Sequence, residues 1–124
     1  MWNVRTAENG SPQNWSATLK NILRINMATL SSTLELCDDE VKVLGGRALT
    51  CHVLNKEIDP RCHPLGANSK LIMACGLLAG TAVTTSGRLS VGGKSPLTGG
   101  IKEANVGGPL GQKLARLGIR AIII

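Results

Sequence analysis

Arg88, Lys94 and Lys102 are spaced through a stretch, residues 70–108, that holds most of the chain's 15 glycines among small hydroxylated residues. Glycine lacks a Cβ and loses much conformational entropy on ordering. A run of it therefore belongs where backbone turns sharply or lies directly against a ligand. Isolated cations between such glycines are point charges suited to a ligand carrying phosphates. Gly107 and Gly108 immediately precede a helical pattern, which puts unsatisfied N–H groups and the positive end of a helix dipole where an anion can sit. The same pair serves equally well as an ordinary glycine turn ahead of an amphipathic helix.

Other chemistries are excluded by spacing. GGKS at residues 92–95 invites a nucleotide-binding reading, but a P-loop needs glycine where Arg88 stands, and Pro96 follows Ser95 directly. No G-x-G-x-x-G occurs, which argues against dinucleotides. Cys37, Cys51, Cys62 and Cys75 form no C-x-x-C pair and no small secreted disulfide scaffold, so reduced thiols are expected. A zinc site drawn from Cys51-His52 and Cys62-His63 is disfavoured, because adjacent ligands point apart. His52 and His63 read as structural or solvated residues rather than catalytic ones.

The elements that must position these residues follow from periodicity. Residues 21–27 alternate as a strand, and a second strand around 33–37 would complete a hairpin whose turn type stays open. Asp38 and Asp39 can cap a short helix ending at Gly45-Gly46, and residues 47–56 predict another. Asp59-Pro60 and His63-Pro64 then break the chain into a loop. Strands are expected at 71–74, 88–92 and 100–104. Pro109 fits the first position of a helix whose Leu110, Leu114 and Leu117 share one face, with Gly118 as its stop. Residues 119–124 form an apolar strand that must pair inside a sheet.

Bulk properties bound the rest. A chain of 124 residues, 43% hydrophobic, buries one core and amounts to one domain or part of one. Residues 1–18 are polar, lack a sustained period and read as a mobile extension before a domain spanning 19–124. No signal-peptide pattern opens the chain, and the longest apolar run, 71–83, is interrupted by Gly76 and Gly80 and falls short of a bilayer helix of roughly 20 residues. A cytoplasmic protein without membrane contact is expected. The net charge of +6 permits nucleic acid, but there is no Phe or Tyr to stack bases and the cations are dispersed, so nucleic acid is not the expected partner.

The segments LIMACGLLAGT, SGRLSV, KSPLTGGI and EANVGG, in this order and at these separations, resemble the N-terminal domain of the tungsten-containing aldehyde ferredoxin oxidoreductases. NILRINM, LGGRAL, the Asp59-Pro60 loop and the closing LARLGIRAIII fit the same family, so the similarity covers roughly residues 21–124. The resemblance implies an α+β fold of mostly antiparallel β-sheets with a few short helices, here incomplete. It implies a platform for tungsten held by two pterin dithiolenes, a molybdopterin-type cofactor. Arg88 matches the arginine that bridges a pterin and an iron-sulfur cluster. Asn105 matches the residue whose main-chain carbonyl helps bind a magnesium ion joining the pterin phosphates, and Gly107, beside Gly108, matches a glycine whose backbone contacts the cofactor. An ordinary surface arginine at 88 and a plain turn at 105 are the competing readings of the residues alone.

The complete enzyme so implied oxidises aldehydes to carboxylic acids and passes electrons through the cluster to ferredoxin. The family draws its cluster cysteines and catalytic Glu and His from downstream domains, so this chain alone is expected to be inactive and to need those domains as partners. A non-catalytic fragment or basic binding module is the alternative. The chain departs from the family in several places: Leu30-Ser31-Ser32 where a turn glycine is usual, Leu77 and Ala79 for proline and threonine, and Pro109, Leu110, Leu117 and Ile119 where aromatic residues are common. Trp15 lies further before the first strand than the family's anchoring tryptophan.

Overall fold

Alternating side chains make residues 21–26 a strand with Ile22 buried on one face, and β-rich segments at five other places join it in a single sheet. The computed structural model describes residues 21–124, so the expected extension at 1–18 and Trp15 lie outside the described residues. In chain order the elements are β1 (Asn21–Asn26), β2 (Ser31–Leu36), α1 (Asp39–Lys42), α2 (Arg47–Glu57), β3 (Leu71–Cys75), β4 (Leu89–Lys94), β5 (Ile101–Val106), α3 (Pro109–Arg116) and β6 (Ile119–Ile123). Strand order across the sheet is β2-β1-β6-β3-β4-β5. The fold is α+β and the pairings are antiparallel except β1 with β6, which is parallel, so the sheet is mixed. No helix among the described residues is long and apolar enough to cross a membrane.

The two sheet faces carry separate cores. On β3, Ile72 and Ala74 point to one face and Met73 and Cys75 to the other. The first face packs against α2, whose Leu49, Thr50, Val53 and Leu54 recur at helical spacing and are buried. The second face holds Leu89, Ala79 and Ala115 beneath α3. β6, the all-apolar strand, sits between β1 and β3, where both of its edges are paired. Its register with β1 skips Arg120, and that bulge sends the buried guanidinium to the Lys42 and Leu44 carbonyls at the end of α1, 2.6 and 2.9 Å away.

Two local expectations are corrected. Asp38 occupies the N-cap of α1 by backbone conformation, yet its side chain makes no capping hydrogen bond. On the leucine face of α3, Leu114 packs against the second core, but the fully buried positions are Gly111 and Ala115, and Leu110 and Leu117 are 50% and 72% exposed. Small residues face the sheet because α3 approaches the backbone before β4 too closely for leucine.

The hairpin turn left open by sequence is built by Asn26, whose Oδ1 accepts the N–H groups of Ala28 and Thr29 at 2.9 and 3.1 Å. Leu30 then adopts φ +52°, the left-handed region that a branched residue enters at a cost. Leu30 is exposed, so its side chain contributes little burial in return. Leu30→Gly is expected to stabilise the chain by about 0.5–1 kcal/mol in a denaturant melt.

Candidate functional site

Arg88 stands one residue before β4, at the end of the loop that leaves β3, and its carbonyl accepts the Gly76 N–H at 3.1 Å. In the antiparallel register of β4 and β5, Ser90 faces Asn105 and Leu89 faces Val106. The next step of that register sets Arg88 beside Gly107. The sequence-predicted residues Arg88, Asn105, Gly107 and Gly108 therefore meet at one end of the sheet. All four are exposed.

The ladder also settles where the Asn105 peptide points. The Ser95 N–H donates to Gly100 C=O at 2.7 Å, and the Gly76–Arg88 bond shows that Arg88 turns its carbonyl to β3. Hydrogen-bonded and non-bonded pairs alternate in an antiparallel ladder, so Leu89, Val91 and Gly93 bond to β5 while Ser90 opposite Asn105 does not. Among the described residues β5 is an edge strand. The Asn105 carbonyl is thus turned to the open side of the sheet, available to a ligand.

Glycine forms the rest of the surface. A Cβ placed on Gly107 or Gly108 would meet no atom within 4 Å, so both backbones face open space. Gly108 takes φ +123°, which is barred to residues with a side chain, and it heads α3 without a side-chain cap. Pro109 follows at the first turn, as the sequence predicts. A Cβ on Gly111 would lie 2.7 Å from the Gly87 carbonyl oxygen and 3.2 Å from that of Arg88. The N-terminal half of α3 thus rests directly on the backbone that carries Arg88.

Gln112, one residue further, was not legible as part of the site. Its Oε1 accepts the Gly80 N–H at 2.7 Å and its Nε2 donates to Ser86 Oγ at 2.9 Å, so a single amide ties both ends of residues 80–86 to α3. Thr85 in that segment has φ +58°, an outlier for a β-branched side chain. Helical spacing places Gln112 on a polar face and gives no sign of its partners.

The cations do not act together. Lys94 lies at the far end of β4 from Arg88, roughly 20 Å along the strand, where its Nζ donates to the Pro60 and Cys62 carbonyls. Lys102 pairs with Gly93, near the Lys94 end, so of Arg88, Lys94 and Lys102 only Arg88 belongs to the site. A groove of about 1070 Å³ opens at that far end, lined by Arg24, Glu57, Lys70 and Lys94 among others. Its charges are already engaged: Arg24 and Lys70 bind Glu57, at 2.6 and 3.0 Å, and Lys94 is held by carbonyls. We place the candidate site at the Arg88 end for that reason.

The cysteines and histidines stay outside the site. None of the cysteines is bridged. Cys75 is buried beside α3 with its Sγ 3.6 Å from the Gly111 and Ile119 carbonyl oxygens, and burial pushes its thiol up to about 11, so it is protonated at neutral pH. His63 Nδ1 accepts the Leu65 N–H at 3.2 Å, and His52 Nε2 lies 3.9 Å from Glu40. Among the described residues no three His, Cys, Asp or Glu side chains come together as a metal site.

Comparison with known proteins identifies the family. Residues 22–124 match the family model described as aldehyde ferredoxin oxidoreductase, N-terminal domain. The tungsten-containing aldehyde ferredoxin oxidoreductases of Pyrococcus furiosus and Thermococcus kodakarensis are each 42% identical over 113 residues, 90% of this chain. Among solved structures, the active site complex BamBC of benzoyl coenzyme A reductase with 1,5-dienoyl-CoA superposes with a TM-score of 0.81 at 28% identity, covering 86% of this chain and 17% of that one. The chain spans about 18% of the length of the two curated relatives. It belongs to the aldehyde ferredoxin oxidoreductase family, of which it represents the N-terminal domain.

Proposed function

We propose that residues 19–124 are the cofactor platform of a tungsten-containing enzyme that oxidises an aldehyde and water to a carboxylic acid, two protons and two electrons. The observation that carries this reading is the register that brings Arg88 beside Gly107 and turns the Asn105 carbonyl to the open edge. The residues fit a doubly phosphorylated metallopterin. An exposed guanidinium supplies donors in a fixed plane, glycine backbone admits close approach, and a main-chain carbonyl turned to the open edge suits magnesium. When bound, the tungsten cofactor supplies the two-electron redox chemistry.

The chain's own residues bind and orient. Arg88 would hold a pterin and face the iron-sulfur cluster, which the cysteines of the remaining domains would carry. Asn105 would contribute its main-chain oxygen to the magnesium ion. Gly107 and Gly108 would lie against the cofactor, and the uncapped N-terminus of α3 would face a phosphate. The remaining domains are the first partner, and ferredoxin would accept the electrons in the assembled enzyme. Leu34 and Leu36, exposed on β2, are apolar surface for such domains to cover. Unbridged cysteines accord with a cytoplasmic setting.

The test is Arg88→Ala in the chain assembled with its remaining domains and supplied with cofactor. Tungsten and pterin retained per protein should fall by about tenfold, the loss of one charge-assisted bidentate contact, while the fold is unchanged by circular dichroism. Equal retention by wild type and variant would refute the site assignment.

A further inference from the structure

We propose that Glu103 is a positioning residue for the platform: its carboxylate fixes the segment of β5 that presents the Asn105 carbonyl. The proposal rests on the platform reading above. Among the described residues β5 has a neighbour on one side only, and its Ile101, Glu103 and Asn105 peptides face the open side. An edge strand held by half a ladder is the part of a sheet that opens most readily.

Glu103 supplies the missing restraint. Its side chain is 7% exposed although it belongs to an edge strand. Oε1 accepts from Ser90 Oγ at 2.7 Å and from Asn105 Nδ2 at 2.6 Å, and Oε2 accepts from Arg47 Nε at 2.8 Å. Ser90 in turn lies 3.0 Å from Thr50 Oγ1, and both hydroxyl residues are fully buried. One carboxylate thus joins β4, β5 and the first turn of α2. A nearly buried carboxylate is tolerated only when paired and hydrogen-bonded, and this one is both.

The consequence concerns Asn105. Residues 103 and 105 share a strand face, so Glu103 reaches the Asn105 amide without bending the backbone. With its amide engaged on the α2 face, Asn105 offers a cation its main-chain oxygen alone, on the open edge. Glu103 touches no cofactor in this arrangement. It acts through Asn105, and Arg47 acts through Glu103.

Two readouts test it. Amide hydrogen exchange in the full chain reports the brace, and tungsten and pterin retention in the assembled enzyme reports its effect on the site. Glu103→Met fills the volume and removes all three bonds. It should speed exchange at Ala104 and Val106, whose N–H groups bond to β4, by about tenfold, leave Ile72 and Ala121 unchanged, and lower retention by at least about threefold. Glu103→Gln keeps an acceptor for Ser90 and Asn105 and should restore most of both, which a purely electrostatic role would not allow. Unchanged exchange at Ala104 and Val106, or full retention by Glu103→Met under conditions where Arg88→Ala loses cofactor, would overturn the proposal and leave the platform reading standing. If Glu103→Met does not fold, native exchange with lost retention in Glu103→Gln overturns it instead. Wild-type assembly that takes up no cofactor overturns both readings together.

Discussion

Gly111→Ala is expected to destabilise the chain by about 2–3 kcal/mol and to strip cofactor from the assembled enzyme. The added methyl would sit 2.7 Å from the Gly87 carbonyl oxygen, 3.2 Å from the Gly87 carbonyl carbon and 3.2 Å from the Arg88 oxygen. All three are backbone atoms, which cannot swing aside as a side-chain tip can. Either α3 lifts from the second core or the Arg88 segment moves, and each outcome separates Arg88 from Gly107. Gly107→Ala is the control, because its methyl meets nothing within 4 Å and its φ lies outside the left-handed range. It should change stability by less than about 0.5 kcal/mol while placing a methyl on the surface proposed for the cofactor. Urea melts and tungsten analysis on both variants separate the two effects. Equal stability for Gly111→Ala would show that α3 does not rest on this backbone.

Acidification should remove about 2 kcal/mol through one residue at the other end of the sheet. The Glu57 carboxylate binds Arg24 through two bonds of 2.6 and 2.8 Å and Lys70 at 3.0 Å. The Arg24 guanidinium, foremost, holds its carboxyl down at about 2 against an ordinary 4.5. A carboxylate whose folded pKa is depressed contributes stability fully above its unfolded pKa, and that contribution is lost as pH falls from about 4.5 toward 2. The side chain is 24% exposed, so solvent screening reduces the full linkage value to the figure given. Asp39, Glu40 and Glu103 also have lowered pKa values through Lys42, Lys56 and Ser90, so the whole acid limb belongs to several groups. The difference between wild type and Glu57→Gln isolates one of them. That variant should be the less stable at pH 7 and should converge on wild type near pH 2; parallel curves across the range would show that Glu57 is not held by Arg24.

Local periodicity made most elements legible. The strand expected at 21–27 runs Asn21–Asn26, the helix expected at 47–56 runs Arg47–Glu57, and Gly118, at φ +76°, ends α3. These features depend on neighbours in sequence, which set propensity and capping. The parallel pairing of β1 with β6 joins opposite ends of the described chain, and no local pattern encodes a partner so distant. The leucine face of α3 is only partly its packing face, with Leu114 alone of the three leucines set against the second core. Leucine spacing marks the greasiest stripe, but the helix buries its smallest residues, because the contact it makes is with backbone.

The candidate site divides in the same way. Glycines and an anion-suited helix start were readable from residue chemistry, whereas Arg88 and Asn105 acquired roles only through resemblance to a family. The structure adds their adjacency and the direction of the Asn105 carbonyl, both products of strand register. Gln112 escaped because its partners lie 26 and 32 residues away in the chain, and Glu103 because its partners on β4 and α2 lie 13 and 56 residues away. Gly92 carried a faint signal for the second. A Cβ there would lie 2.5 Å from Thr50 Cγ2, so its bare backbone is what lets α2 settle beside Ser90 and Glu103.

A structure of the assembled enzyme with its cofactor bound tests the platform reading most directly. The Arg88 guanidinium is expected against a pterin and the Asn105 carbonyl oxygen among the ligands of a magnesium ion. A cofactor seated instead in the groove between Arg24 and Lys94, with Arg88 and Asn105 touching none of it, would refute the platform reading.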